Sequence, residues 1–505
     1  MTSLIFMLPE TMCPILDYIR YDRKSLYSCM FVNRTWCSLT TPILWRAPFK
    51  ESRSSLITTF IRCLDRTSKG KLRLFDGFPL EALKKPTFNY MHYIHELQYP
   101  TLYDSVKTWC DENYLIVYID KEKEIYLNPT STILDMLIER IMSKAKRLSE
   151  LSIPTVTHRK GDYVCLIKHS SAAKKCLPKL RYLICDNCVP KNLLFASEFC
   201  INLNRLDIDC SWINDREVSK FLKAQKNLKQ LTVTKRWPHL NDAISIDNLS
   251  ISLRCVVLKD NCHRQNGGTL SVLKSFTNLE ILRFHNWASF PENDIEGLTS
   301  CYFPRLRKLS FTHCKPTVGM IIPMILINGS SLQELTLSWE INQSDQYSVI
   351  RTIASNCPNL EYLDVPIVRK DVSNLHYVLK SCKKLESLTI NSASDDDYDV
   401  DDFFPSMGNI IPEPLYQLNI FAYWKFTAES LSEFLKNCKN NLSCLGFYRS
   451  ATDEHLKVIA EYANERKSLS FLELRWCEVI SLEEIKNAEK LINVIAVYNH
   501  AGRRI

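Results

Sequence analysis

The chain has 505 residues, 46% apolar and 24% charged, which supplies ample material for buried cores and excludes a disordered chain. Only 11 residues are glycine, about 2% against about 7% in average usage, so few positions are left for phosphate-cradling loops. The formal charge of +8 comes without a basic block and indicates neither nucleic acid nor an anionic membrane as partner.

A prior of about 150 residues per domain suggests about three domains. The opening Met1 to Glu10 has no basic region, and Pro9 and Glu10 break its apolar stretch at once, so no signal peptide is expected. No apolar run of about 18 residues is long enough to span a bilayer. The expectation is a soluble, intracellular chain, cytoplasmic and/or nuclear, with reduced thiols. The sequons at Asn33, Asn248, Asn328, Asn342 and Asn441 are then chance matches.

In chain order, residues 1–48 form a short helical module. Leu8-Pro9-Glu10 puts proline where a helix can start, followed by Ile15, Leu16 and Ile19. Ser25-Leu26 begins a second helical stretch carrying Cys29, Val32 and Trp36, and Pro42-Ile43-Leu44-Trp45 closes the segment. A segment this small does not usually support itself, so its apolar surface should lie against the rest of the chain or a partner. Pro14 inside a helix begun at Pro9 costs about 3 kcal/mol, which leaves two alternatives: the helix starts at Pro14, or the stretch is kinked.

The series Leu-Pro-x-Glu, Ile15, Ile19, Asp22 with Ser25-Leu26, Val32-Asn33-Arg34-x-Trp36-Cys37 and Trp45 resembles the F-box in order and spacing. That family docks on a Skp-type adaptor and so joins a cullin–RING ubiquitin ligase of the SCF type. Carried across, the resemblance implies that Leu8, Pro9, Ile15, Ile19, Leu26, Val32 and Trp36 supply the adaptor-facing and internal apolar contacts.

Residues 49–90 read as an ordered connector, with Leu56, Ile57, Phe60 and Ile61 helix-like and Lys69-Gly70-Lys71 turn-like. Residues 91–147, with Trp109, Tyr114 to Ile119 and a helix-like Ile133 to Met142, are expected to be irregular first repeats that shield an N-terminal edge.

From residue 148 onward, Leu-x-x-Leu-x-apolar recurs about 14 times. Its first leucines are Leu148, Leu180, Leu203, Leu228, Leu253, Leu279, Leu306, Leu332, Leu360, Leu385, Leu415, Leu442, Leu469 and Leu491, spaced 22 to 32 residues apart and mostly 25 to 28. Ile94-His-Glu-Leu97 is a candidate further copy. Apolar residues at offsets 3 and 5 around a polar offset 4 have the period of a strand with one buried face. Between them, stretches such as Glu217 to Ala224 and Glu429 to Lys436 place apolar residues three and four apart, as an amphipathic helix requires. Such a unit buries its apolar face only by stacking on its neighbours.

The pattern resembles the leucine-rich repeat in its cysteine-containing form. The fold class expected is therefore α/β: a small all-helical F-box followed by a leucine-rich-repeat solenoid, a curved parallel sheet with outer helices. Cys188, Cys314 and Cys477 stand at offset 8, Cys262 one residue late, and Cys200, Cys357 and Cys382 precede their first leucines by three. This recurrence reads the cysteines as packing groups; Cys185-x-x-Cys188 lacks the second pair of a zinc site.

No phosphate loop, helical zinc-protease motif or nucleophile elbow occurs in the sequence. No catalytic residue, metal or cofactor is expected. The acidic run Asp395 to Asp402 lacks the glycine and terminal glutamate of a calcium loop and is expected to be a solvated loop. If the repeats form a binding surface, strand-end positions select Arg283, His285, His313, Trp339, Phe421, Tyr448, Arg449, Arg475 and Trp476. Aromatic and arginine residues of this kind dominate protein–protein hot spots. Tyr448, Arg449, Arg475 and Trp476 share offsets in adjacent repeats and should form one patch. The function expected is that of a target-recognition subunit of an SCF-type ligase, with an unidentified protein target. The alternative is a repeat scaffold or inhibitor that recruits no ligase.

Overall fold

The computed structural model describes residues 9–120, 125–153, 170–186, 190–211, 214–235, 247–260, 270–287, 289–338, 346–392, 397–477 and 480–498. The chain divides into two compact units, Met1–Leu231 with Ala243–Ser252, and Thr232–Asp242 with Leu253–Ile505.

The first unit begins with three helices, α1 (Pro9–Tyr18), α2 (Arg23–Cys29) and α3 (Arg34–Leu44). Their boundaries are written in the capping residues. The Asp22 carboxylate accepts the Ser25 amide at 3.1 Å, and the Asn33 side chain accepts the Trp36 amide at 2.9 Å, each satisfying a donor left over at a helix start. Helix α1 continues through Pro14, so it does not start there. The exposed ring costs α1 a hydrogen bond to the Glu10 carbonyl. Residues 49–90 pack around buried Phe49, Ile57, Phe60, Ile61, Leu72 and Phe75.

Strands Glu96–Gln98, Glu150–Ile153, Tyr182–Cys185 and Arg205–Asp209 follow in parallel, with Leu97, Leu151, Leu183 and Leu206 in register. Ile94 thus does begin a repeat. Residues 99–144 are not a set of irregular repeats. Helix Tyr99–Glu112, an antiparallel hairpin (Tyr118–Asp120 with Ile125–Leu127) and helix Pro129–Lys144 make up one long connection. The N-terminal edge is met instead by the end of the helical module, where the Arg46 carbonyl accepts the His95 and Glu96 amides.

In the second unit ten strands pair in chain order, all parallel, from Cys255–Lys259 to Val494–Tyr498. Val256, Leu282, Leu309, Leu335, Leu363, Leu388, Leu418, Leu445, Leu472 and Ile495 form one row across them. Parallel neighbours require a crossover, and the amphipathic stretches supply it. Helix Asp215–Lys223 in the first unit buries Val218, Phe221 and Leu222, and helix Ala428–Asn437 in the second buries Leu431, Phe434 and Leu435. Both units therefore have the strand-and-helix build of a leucine-rich repeat.

The first leucines from Leu148 to Leu469 are at most 4% exposed, each contributing about 1.5–3 kcal/mol of burial. Leu491 is the exception: strand Val494–Tyr498 aligns Ile495 with Leu472, which puts Ile492, not Leu491, in the first-leucine place. Ile492 is 2% exposed and Leu491 42%.

Among the described residues no cysteine is in a disulfide. Cys200, Cys314, Cys357, Cys382 and Cys477 are buried as the pattern predicts, whereas Cys188 and Cys262 lie outside the described residues. The acidic run corrects another expectation. Tyr398-Asp399 pairs with Trp424-Lys425 in a small parallel ladder, and Tyr398 and Val400 are buried. The Asp401 carboxylate accepts the Thr427 amide at 2.9 Å. Alternation of acid and apolar residues from Asp397 to Asp401 was the strand signal there.

Candidate protein-binding surfaces

The helical module closes a small core of its own with Met12, Leu16 and Leu26. Several of its other apolar side chains point outward. Ile15 is 52% exposed, Tyr18 90%, Tyr27 58%, Phe31 71% and Val32 60%; the Tyr27 and Phe31 rings meet edge to face at 5.0 Å. Among the residues carried over from the family resemblance, Pro9, Ile15 and Val32 are exposed, Ile19 and Trp36 half-buried, and Leu26 internal. Leu8 lies outside the described residues. Tyr18, Tyr27 and Phe31 were missed from the sequence, although three exposed aromatics within one helical turn or two of matched positions were a readable signal.

A second cluster forms where the strands of the second unit end. Tyr448 and Arg475 pair in register, so the next residues, Arg449 and Trp476, also fall side by side. The Tyr448 ring lies 5.1 Å from Trp476 and 5.2 Å from Tyr423, with the two tyrosine hydroxyls 3.3 Å apart. The Arg449 guanidinium stands 5.4 Å over Tyr423, and that of Arg475 stands 3.8 Å over Phe421. Glu473 holds Arg475 from the side at 2.7 Å.

Two backbone features build this cluster. Gly446 gives Phe421 its seat, since a Cβ there would meet the Phe421 ring at 2.9 Å and the Asn419 Oδ1 at 2.6 Å. Arg449 and Trp476 have positive φ of 60° and 58°, a conformation that costs a non-glycine residue about 1–2 kcal/mol. The same φ recurs at the matching position in Lys235, Asp260, Asn286 and His313. It turns the amide to the next strand: Arg449 N–H donates to the Arg475 carbonyl at 2.9 Å and Trp476 N–H to that of Tyr498 at 2.9 Å. Tyr423 and Gly446 were not singled out from the sequence.

Arg283 and His285 stay exposed on strand Ile281–His285, with His285 5.6 Å from the His313 ring. Arg283 lines a separate depression of about 330 Å³ with Lys308, Glu334 and Tyr362. Trp339 lies outside the described residues.

No family model and no curated protein matches the chain. Among solved structures, the chain is similar to one from a complex of Rad7 and Elc1 in yeast, at 16% identity over 77% of this chain and 86% of that one, TM-score 0.40. It is also similar to the leucine-rich repeat-containing protein LegL7 from Legionella pneumophila, at 14% identity over 54% and 92%, TM-score 0.35.

Burial governs the thiols that shift among the described residues. Burial pushes Cys176, Cys382 and Cys438 up to about 12, and Cys110, Cys301 and Cys314 up to about 11. Among the described residues, no group of three or more His, Cys, Asp or Glu could hold a metal ion. No helix among them is long and apolar enough to cross a membrane.

Proposed function

We propose that the protein is the target-binding subunit of an SCF-type cullin–RING ubiquitin ligase. The helical module docks on a Skp-type adaptor, and the repeat surface around Tyr448, Arg449, Arg475 and Trp476 holds a protein target. The observation that carries the reading is the set of exposed apolar side chains Ile15, Tyr18, Tyr27, Phe31 and Val32 on a module whose sequence resembles the F-box. Surface of this kind on so small a module fits a protein partner. In this reading the chain makes and breaks no bonds itself. It raises the effective concentration of a target lysine beside a charged enzyme, a gain of millimolar order for a tethered pair.

The test is co-purification with a Skp-type adaptor, comparing wild type with an Ile15→Asp/Val32→Asp double variant. Both side chains are exposed, so the variant should stay folded. Capture by wild type and loss in the variant is expected. Equal capture by both, or by neither, would leave a repeat protein that binds partners without recruiting a ligase.

A further inference from the structure

Within the first unit, a cleft of about 350 Å³ opens between the helical module and the first repeat strand. Its walls are crowded with basic side chains from separate stretches of chain: Arg20, Arg23, Arg46, Lys50, His95 and Arg147. The two carboxylates that line it are engaged, Asp17 with Arg20 at 3.4 Å and Glu96 with Arg46 at 3.4 Å. Among the described residues, no carboxylate lies within ion-pair distance of Arg23, Lys50 or Arg147.

Arg23 shows the consequence. It is half-buried, its Nη1 reaches the Ala47 carbonyl at 3.5 Å, and its Nε is buried without a hydrogen-bond partner in the protein. Burial first, then the nearby Arg53, pull its pKa down, against the opposing charge of Glu51, which Arg53 itself holds at 2.7 Å. His95 is pulled down in the same way, by burial and then by Arg46 and Arg147. Positive charge withdrawn from water is costly; Arg23 carries that cost, and the exposed Arg20, Arg46, Lys50 and Arg147 face the same space. Guanidinium forks match phosphoryl oxygens, two donors at a time. The volume lies near the lower end of small-molecule sites, roughly 300–1,000 Å³, and Pro42 and Ile43 add an apolar wall.

We propose that this cleft is a binding site for a small organic phosphate, whose phosphoryl group is taken by Arg23, Lys50 and Arg147 and whose carbon skeleton rests on Pro42 and Ile43. Because the helical module and the first repeat strand both line it, an occupant ties the two together and stabilises the folded chain by mass action.

The experiment is equilibrium binding of ribose 5-phosphate and of inorganic phosphate to the full chain at constant ionic strength, with thermal unfolding recorded alongside. Expected is saturable binding near one equivalent, tighter for ribose 5-phosphate, with a rise in unfolding temperature. Arg23→Gln/Arg147→Gln should weaken binding at least about tenfold, the loss of a charge-assisted contact. Should that variant fail to fold, the exposed Lys50→Gln decides by the same weakening. No binding by wild type, or equal binding by a folded variant, overturns the site; equal affinity for the two ligands overturns its organic half.

Discussion

The carbonyl oxygen of Arg46 accepts the amide of His95 at 2.9 Å and, beside it, that of Glu96 at 3.2 Å. The same forked bond recurs at each following step: His95 to Ser149 and Glu150, Ser149 to Arg181 and Tyr182, Arg181 to Asn204 and Arg205. Trp45 therefore occupies the place that a first leucine holds in the repeats, with its ring 4.2 Å from Tyr90 and 5.4 Å from Phe60. The helical module supplies the first rung of the ladder and covers a strand edge that would otherwise be open for pairing.

Removing residues 1–48 is thus not a neutral way to test the module. The truncated chain is expected to self-associate and to unfold at a lower temperature, because Phe60, Tyr90 and the edge of Glu96–Gln98 lose their cover. Ile15→Asp/Val32→Asp should do neither. Size-exclusion chromatography and thermal unfolding check this, and a monomeric truncation with unchanged unfolding temperature would sink the idea.

Asp364 sets a pH dependence. Burial raises its carboxyl to about 6, against opposing effects of the hydrogen bond from Asn391 and of the Arg475 charge. With the folded value above the unfolded one of 3.8, its contribution is whole below about pH 4 and is lost as pH rises through about 6. The loss is of order 3 kcal/mol by neutral pH. Asp364→Asn should therefore match wild type in acid and exceed it at neutral pH. Urea unfolding of both at about pH 4 and pH 7.5 measures the difference; a gap that does not change with pH refutes the assignment.

The thiols should sort by burial. At neutral pH, groups raised to about 11 or 12 are thiolate to less than about one part in a thousand. Iodoacetamide on the folded protein is expected to modify exposed Cys13 first, and to reach Cys176, Cys382 and Cys438 only in denaturant. Mass spectrometry reads the sites. Rapid, selective modification of a buried cysteine would point to an activated nucleophile and to catalysis.

What the sequence showed was the part of the fold that burial dictates. Thirteen first leucines from Leu148 to Leu469 were legible because each must face the core, and the cysteine positions followed for the same reason. The left-handed turn after the strand was not. Lys235, Asp260, Asn286, His313, Arg449 and Trp476 share a backbone angle but no side-chain type, and a requirement on φ alone leaves no pattern where glycine does not fill it. The candidate patch was half legible: equal offsets put Tyr448 beside Trp476, but Tyr423 joins it from outside the repeat pattern, in the segment that pairs with Tyr398.

The last repeat shows how register is decided when two apolar residues stand together. Leu491 and Ile492 both fit a first-leucine place by type, and a slip of one residue would reverse every side chain of the strand that follows. The pairing of Leu472 with Ile495 and Leu474 with Val497 selects Ile492, leaving Leu491 at 42% exposure. Ile492→Ala should then cost about 2–4 kcal/mol, the transfer and cavity cost of a core isoleucine. Leu491→Ala should cost less than about 1 kcal/mol. Urea unfolding of the two single variants ranks them, and a larger loss for Leu491→Ala would shift the strand by one residue and turn Val494, now 38% exposed, to the core in place of Ile495.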